Sequence, residues 1–278
     1  MFDTIYEIFG GDCSLREGEL YGIEYEIESV REIDANLFST SMCAVKEDNS
    51  LRNHGMEVVT NPITFEQALA SHKDVFQGKA VRFLRREEIC SERGSIHVHV
   101  NFTDWPSNKV KEFIRLYAVL EPYFFDMVAE HRHNNIYCVP LYSTHMLSRL
   151  MERSIPALVD YWHKYTAFNV KCLRQFGTIE FRHLQCTDDA QVFKLWLQTI
   201  HNLYTFVRNN DLPRQLELPY VQDAVQAIFG FLVAEETLKQ KLEQQLINDI
   251  LIGLNPSRDL LLSRMKQHKL LQGSACVD

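Results

Sequence analysis

Apolar and polar residues alternate with a period of two from 21 to 28: Tyr21, Ile23, Tyr25 and Ile27 fall on one face, Gly22, Glu24, Glu26 and Glu28 on the other. That period belongs to a β-strand with one face against a core. Shorter stretches of the same kind predict strands over 55–60, stopped by Asn61-Pro62, over 95–102 and over 178–184.

Elsewhere the period lengthens to that of a helix. After Pro106, with Ser107 as the expected N-cap, Val110, Phe113, Ile114 and Tyr117 form one stripe, and Pro122 is expected to kink or end it. Thr187, followed by Asp188 and Asp189, is expected to open a second helix with Val192, Trp196, Ile200, Leu203 and Val207 facing inward and Leu212-Pro213 breaking it. Residues 220–271 read as two or three further helices, separated near Asn255-Pro256. Strands and helices mix as far as Arg182 and helices follow Thr187, so the expected class is α+β. One body over 1–210 would carry a helical C-terminal portion, 211–278, packed on it.

Composition agrees with a folded chain: 278 residues, 46% hydrophobic and 24% charged, exclude disorder and low complexity. The longest apolar stretch, 227–234, falls well short of the roughly 20 residues a membrane span needs. The first residues, Met1-Phe2-Asp3-Thr4 and Glu7, have no basic region before an apolar run, so a cytoplasmic protein is expected. Seven cysteines without Cys-x-x-Cys spacing suggest reduced thiols rather than a disulfide framework or a thiolate zinc site. A net charge of −8 argues against nonspecific nucleic-acid binding, and the Arg82, Arg85, Arg86 cluster runs straight into Glu87 and Glu88, as a mixed-charge surface does.

The polar strand faces carry the chemistry. Glu24, Glu26 and Glu28 can be the wet side of an edge strand, but neighbouring like charges repel, and Glu24 with Glu26 also presents oxygen donors together, as magnesium requires. In Ser95-Ile96-His97-Val98-His99-Val100, both histidines share a face, fitting a metal, a phosphate or satisfied hydrogen bonds. Thr178, Glu180 and Arg182 share another: an ion pair, or a carboxylate for a cation beside a guanidinium for phosphate. Glu57 is the lone acid of the strand after the 48–55 turn.

The order of these motifs resembles the amidoligase family of phages and bacteria, within the glutamine-synthetase-like carboxylate-amine ligases. Four segments carry the resemblance: Tyr21-Gly22-Ile23-Glu24-Tyr25-Glu26, Asp48 to Arg52 with Gly55 to Val59 and Pro62, Ile96-His97-Val98-His99-Val100, and Phe176-Gly177-Thr178-Ile179-Glu180-Phe181-Arg182. The resemblance implies a curved antiparallel sheet that binds ATP and magnesium, or manganese. It implies Glu24, Glu26, Glu57, His97 and Glu180 as metal ligands and His99 as a nucleotide contact. It gives Arg182 to the transferring phosphate and Arg52 to substrate or phosphate, and sets Tyr165 and Asn169 beside the nucleotide. Asn49 stands where the family often has glycine, a change a left-handed asparagine can absorb.

The implied reaction joins a small-molecule or peptide carboxylate to an amine through an acyl phosphate. A modified nucleobase is the one nucleic-acid substrate in keeping with it. A pocket carboxylate or His54 would take the amine's proton. A metal-dependent hydrolase built on His97 and His99, or a non-catalytic binding or structural protein of the same fold, are the other readings. The substrates and the oligomeric state are not legible.

Overall fold

The computed structural model describes residues 2–10, 18–40, 42–144, 146, 153–213 and 216–232. The strands are β1 (Tyr21–Ile27), β2 (Val30–Ile33), β3 (Met42–Glu47), β4 (Met56–Thr60), β5 (Val81–Phe83), β6 (Ile96–Asn101), β7 (Phe168–Asn169) and β8 (Thr178–Phe181). The helices are α1 (Ile5–Phe9), α2 (Phe65–Phe76), α3 (Ser107–Asp126), α4 (Ile155–Tyr161), α5 (Cys172–Phe176), α6 (Ala190–Asn209) and α7 (Leu218–Phe229). Six strands form one antiparallel sheet in the order β3-β4-β1-β6-β8-β7, and β2 pairs with β5 apart from it. The α+β class and the antiparallel sheet are as expected.

β1 keeps its alternation in three dimensions, its apolar residues fully buried and its polar ones half-buried. Tyr25 packs edge-on to Phe76 of α2 and near Phe193 of α6, and its hydroxyl meets Ser71 Oγ at 2.6 Å. Burying each such ring contributes on the order of 1.5–3 kcal/mol. The α2 start is fixed by a capping box, Thr64 accepting from the Gln67 N–H and Gln67 from the Thr64 N–H. Helices therefore cover one face of the sheet and leave its polar face to the site.

Several expected boundaries move. Asp189, not Thr187, caps α6, its carboxylate accepting from the N–H groups of Gln191 and Val192; Thr187 is engaged upstream, its carbonyl on His72. α3 begins at Ser107 behind Pro106, with no side-chain cap, and runs through Pro122 to Asp126. Residues Phe113 to Glu121 and Tyr123 to Phe125 are buried on nearly every side, and that packing offsets the roughly 3 kcal/mol cost of an internal proline. Thr178 to Leu184 is a strand only as far as Phe181. The arginine cluster is a mixed-charge surface as expected, with Arg82 on Glu32 and Arg85 on Glu88.

Of the C-terminal portion, α7 lies against α6, where Asn202 Nδ2 donates to the Ile228 carbonyl at 3.1 Å. The helices expected beyond 232 lie outside the described residues.

Candidate active site

The register of the sheet lays the chemistry-bearing residues in a row across five strands. Glu57 of β4 faces Glu26 of β1, Glu24 faces His97 of β6, and His99 faces Glu180 of β8, which faces Asn169 of β7. Because side chains alternate, every one of these lies on the face the helices leave open.

His97 sits at the centre. Its Nδ1 lies 3.2 Å from Glu24 Oε2 and 3.4 Å from Glu180 Oε1, and its Nε2 meets Ser95 Oγ at 2.8 Å. Ser95 in turn donates to Glu26. His99 Nδ1 meets Thr178 Oγ1 at 3.0 Å, and its Nε2 lies 3.2 Å from Glu24 Oε1. Glu180 accepts from Asn169 Nδ2 at 2.7 Å and pairs with Arg182, whose Nε also donates to the Tyr137 carbonyl. Glu57 pairs with Lys46 across β3 and β4 at 3.0 Å.

Charge is concentrated here against burial. Burial resists ionisation of Glu24, yet the His97 and His99 imidazoles beside it hold its carboxyl well below the usual range. Burial likewise works against Glu180, and the charges of His99, His97 and Arg182 hold it down. Burial pushes Glu57 up, aided by Glu24 and Glu26, while Lys46 pulls the other way. His99 is raised well above its usual value because Cys172, Glu24 and Glu180 outweigh its burial.

One oxygen each from Glu24 and Glu180 and one nitrogen of His97 lie within 4.8 Å of one another. Two nearly buried carboxylates and an imidazole converging so closely fit a divalent cation, which would relieve their repulsion. Glu26 stands beside them through Ser95 and His97.

A cleft of about 600 Å³ opens next to this row, lined by Glu26, Ser95, Arg93, Arg132, Tyr165 and Arg182 among others. Glu24, Glu26, His97, His99 and Glu180 are thus brought together, with Arg182 and Tyr165 on the adjoining wall. Asn169 is set against Glu180, where it orients the carboxylate. Arg52 and His54 line a neighbouring cavity instead. That cavity belongs to the 48–55 turn, in which the Asp48 carboxylate accepts from the Ser50 N–H and Gly55 packs so tightly that a Cβ there would sit 2.1 Å from Leu51 Cβ.

Arg132, Ser95 and Cys172 belong to the site without being among the residues the sequence motifs single out. Arg132 is buried, with Nε on the His183 carbonyl and Nη2 on the Arg182 carbonyl, so it fixes the end of β8 and borders the cleft. Nothing in the local pattern of Glu130-His131-Arg132-His133 marks it. Ser95 could have been found, since it shares the face of His97 and His99 two residues along.

Residues 12–204 match the model of a family described as "Putative amidoligase enzyme". Among curated proteins none matches. One matching solved structure, described as the crystal structure of a novel glutamine synthase homolog, is 14% identical over 93% of this chain and 68% of that one, with a TM-score of 0.37.

Proposed function

Because this chain belongs to the amidoligase family, whose model spans most of its length, we propose that it is an ATP-dependent ligase joining a carboxylate to an amine through an acyl phosphate. The observation that supports this reading most directly is the continuous row Glu26, Glu24, His97 and Glu180 ending at a cleft walled by Arg93, Arg132 and Arg182. Carboxylates for cations and guanidinium groups for phosphate oxygens are the two charges that phosphoryl transfer must hold side by side.

A magnesium or manganese ion held by Glu24, His97 and Glu180, with Glu26 and Glu57 alongside, would supply positive charge to phosphate oxygens. The chain's own groups do the rest. Arg182, anchored by Glu180 and the Tyr137 carbonyl, presents a planar fork to the transferring phosphoryl group. Tyr165 on the cleft wall offers a face for the nucleotide base, and Arg93 and Arg132 offer charge to the substrate carboxylate. That carboxylate attacks the γ-phosphorus as the bond to ADP breaks. The amine then attacks the acyl carbon and phosphate leaves. Glu26 and Glu92 are the carboxylates on the cleft wall that can take the ammonium proton, whereas His54 lines the neighbouring cavity.

The acid and amine are taken to be small molecules or peptides, a net charge of −8 disfavouring bulk nucleic acid. Among the described residues no helix is long and apolar enough to cross a membrane. We place the protein in the cytoplasm, and treat α7 as packed on the catalytic body through α6.

Incubation with ATP, magnesium and a panel of carboxylates and amines tests the reading. ADP, phosphate and a product weighing the sum of acid and amine less one water are expected in equal amounts. Turnover of an amide or phosphoester with zinc and without ATP overturns the ligase in favour of a hydrolase.

A further inference from the structure

A second cluster of donors adjoins the first. One donor atom each of His99, Cys172 and Glu180 lie within 4.8 Å of one another. Cys172 opens α5, and Gly177, in a left-handed conformation at φ 67°, turns the chain straight from α5 into β8. The helix is thereby folded back so that Cys172 lies beside Glu180, 3.5 Å from its Oε2.

Two observations separate this cluster from ordinary packing. First, His99 is about nine-tenths buried, and its Nε2 makes no hydrogen bond; it lies 3.2 Å from Glu24 Oε1 but out of line with it. An imidazole nitrogen buried among donors and left without a hydrogen-bond partner is costly unless something else occupies its lone pair or proton. Second, the two oxygens of Glu180 face different neighbours. Oε1 is directed to His97 and Arg182, with His99 Nε2 at 4.0 Å, and Oε2 to Asn169 and Cys172. A carboxylate so placed can serve two ions at once.

We propose that His99, Cys172 and Glu180 form a second cation subsite, distinct in character from the oxygen-rich Glu24, His97 and Glu180 set and sharing only Glu180 with it. A thiolate, an imidazole and one carboxylate suit a borderline transition-metal ion such as zinc, and magnesium, which demands oxygen ligands, poorly. Three protein donors also leave a coordination position open. On binding, the Cys172 thiol gives its proton to solvent as the sulfur–metal bond forms, and no electron changes hands. Asn169 Nδ2, 2.7 Å from Glu180 Oε2 and 3.5 Å from Cys172 Sγ, holds both donors in place. The site accordingly sorts two kinds of cation, a hard one on the carboxylate side and a softer one on the cysteine side.

Cobalt(II) reports on this directly, because a thiolate ligand gives it an intense near-ultraviolet charge-transfer band. Titration of the metal-free protein with cobalt alone is expected to raise that band to saturation at one equivalent. Cys172→Ser should abolish it while Cys90→Ser keeps it, and zinc affinity measured by chelator competition should fall about tenfold or more in Cys172→Ser, since even outer-shell partners are worth about 10–100-fold. His99→Gln should weaken binding similarly with the thiol intact. Absence of the band in the unaltered protein, its survival in Cys172→Ser, or its loss in Cys90→Ser overturns the proposal. If Cys172→Ser fails to fold by circular dichroism, Cys172→Ala decides on the same readout. No nucleotide or substrate enters the titration, so its failure is independent of the ligase reading.

Discussion

The Glu28 carboxylate accepts the backbone N–H of Arg52 at 2.6 Å and is 3% exposed. The third acid of the Glu24, Glu26, Glu28 series therefore does not join the other two. It lies just past β1, where Ser29 takes a positive φ of 58° and the polar face is no longer shared, and it ties down the 48–55 turn. Glu28→Gln keeps an acceptor but loses its charge. It should lower stability by about 1 kcal/mol and leave cation affinity unchanged, as read by urea unfolding and by metal titration.

Glu24→Gln and Glu180→Gln remove a donor from the converging cluster while preserving volume. Each should lower the melting temperature of the metal-free protein, because His97 and His99, and for Glu180 also Arg182, hold the carboxylate ionised and the neutral amide forfeits that pairing. Both should lose the stabilisation that magnesium with ATP confers, which for the unaltered protein reaches about 2.7 kcal/mol at a hundredfold excess over Kd. Thermal scans with and without the ligand decide the matter.

Arg182→Lys retains the charge beside Glu180 but not the planar fork or the Nε contact with the Tyr137 carbonyl. Turnover should drop about a hundredfold, the scale of removing one donor aimed at transition-state charge, with nucleotide affinity and Tm nearly unaltered. A loss of Tm with normal phosphate release per folded molecule would mark Arg182 as a structural partner only.

His72 gives the fold a dependence on acid. Its ring stacks on Phe193 and its Nε2 donates to the Thr187 carbonyl, and burial pushes its pKa down to about 4. The unfolded chain, with histidine near its ordinary value, binds more protons than the folded one between about pH 6.5 and 4, so stability falls as pH falls through that window. The loss between pH 7 and pH 5 amounts to about 2 kcal/mol. His72→Gln keeps a donor for Thr187 without titrating, and should flatten the pH dependence of unfolding by that amount. His183, also lowered by burial and by Arg132, leaves a residual slope of the same sign.

How far the site was legible follows from where its residues sit. Glu24, His97, His99 and Glu180 lie on strands whose alternation is plain, so strand period alone put them on polar faces, and antiparallel pairing then aligned those faces. Asn169 and Cys172 were harder, because β7 is two residues long and α5 only five. Their positions depend on the turn at Gly177, which no period records. Arg132 acts through backbone carbonyls fifty residues later in the chain, a relationship that only the packed fold contains. β2 and β5 escaped notice since each is short and its partner lies about fifty residues away, and β3 because its apolar residues, Met42 to Val45, run together without alternating. Arg52 shares a segment with Glu57 but lies on the other side of a tight turn, and motif order cannot separate the two.

β6 is an interior strand only because β8, about eighty residues downstream, covers one of its edges. A chain emerging from the ribosome, or one cut before residue 178, has β6 paired to β1 on one side and a bare ladder of N–H and C=O groups on the other, carried by Ile96, Val98 and Val100. Such an edge recruits any strand that meets it, including its own copy in another molecule. Synthesis past β8 thus completes the acidic row and closes the sheet's stickiest margin in one event, so that fragments ending in α3 or α4 are destined for aggregates and not for partial activity.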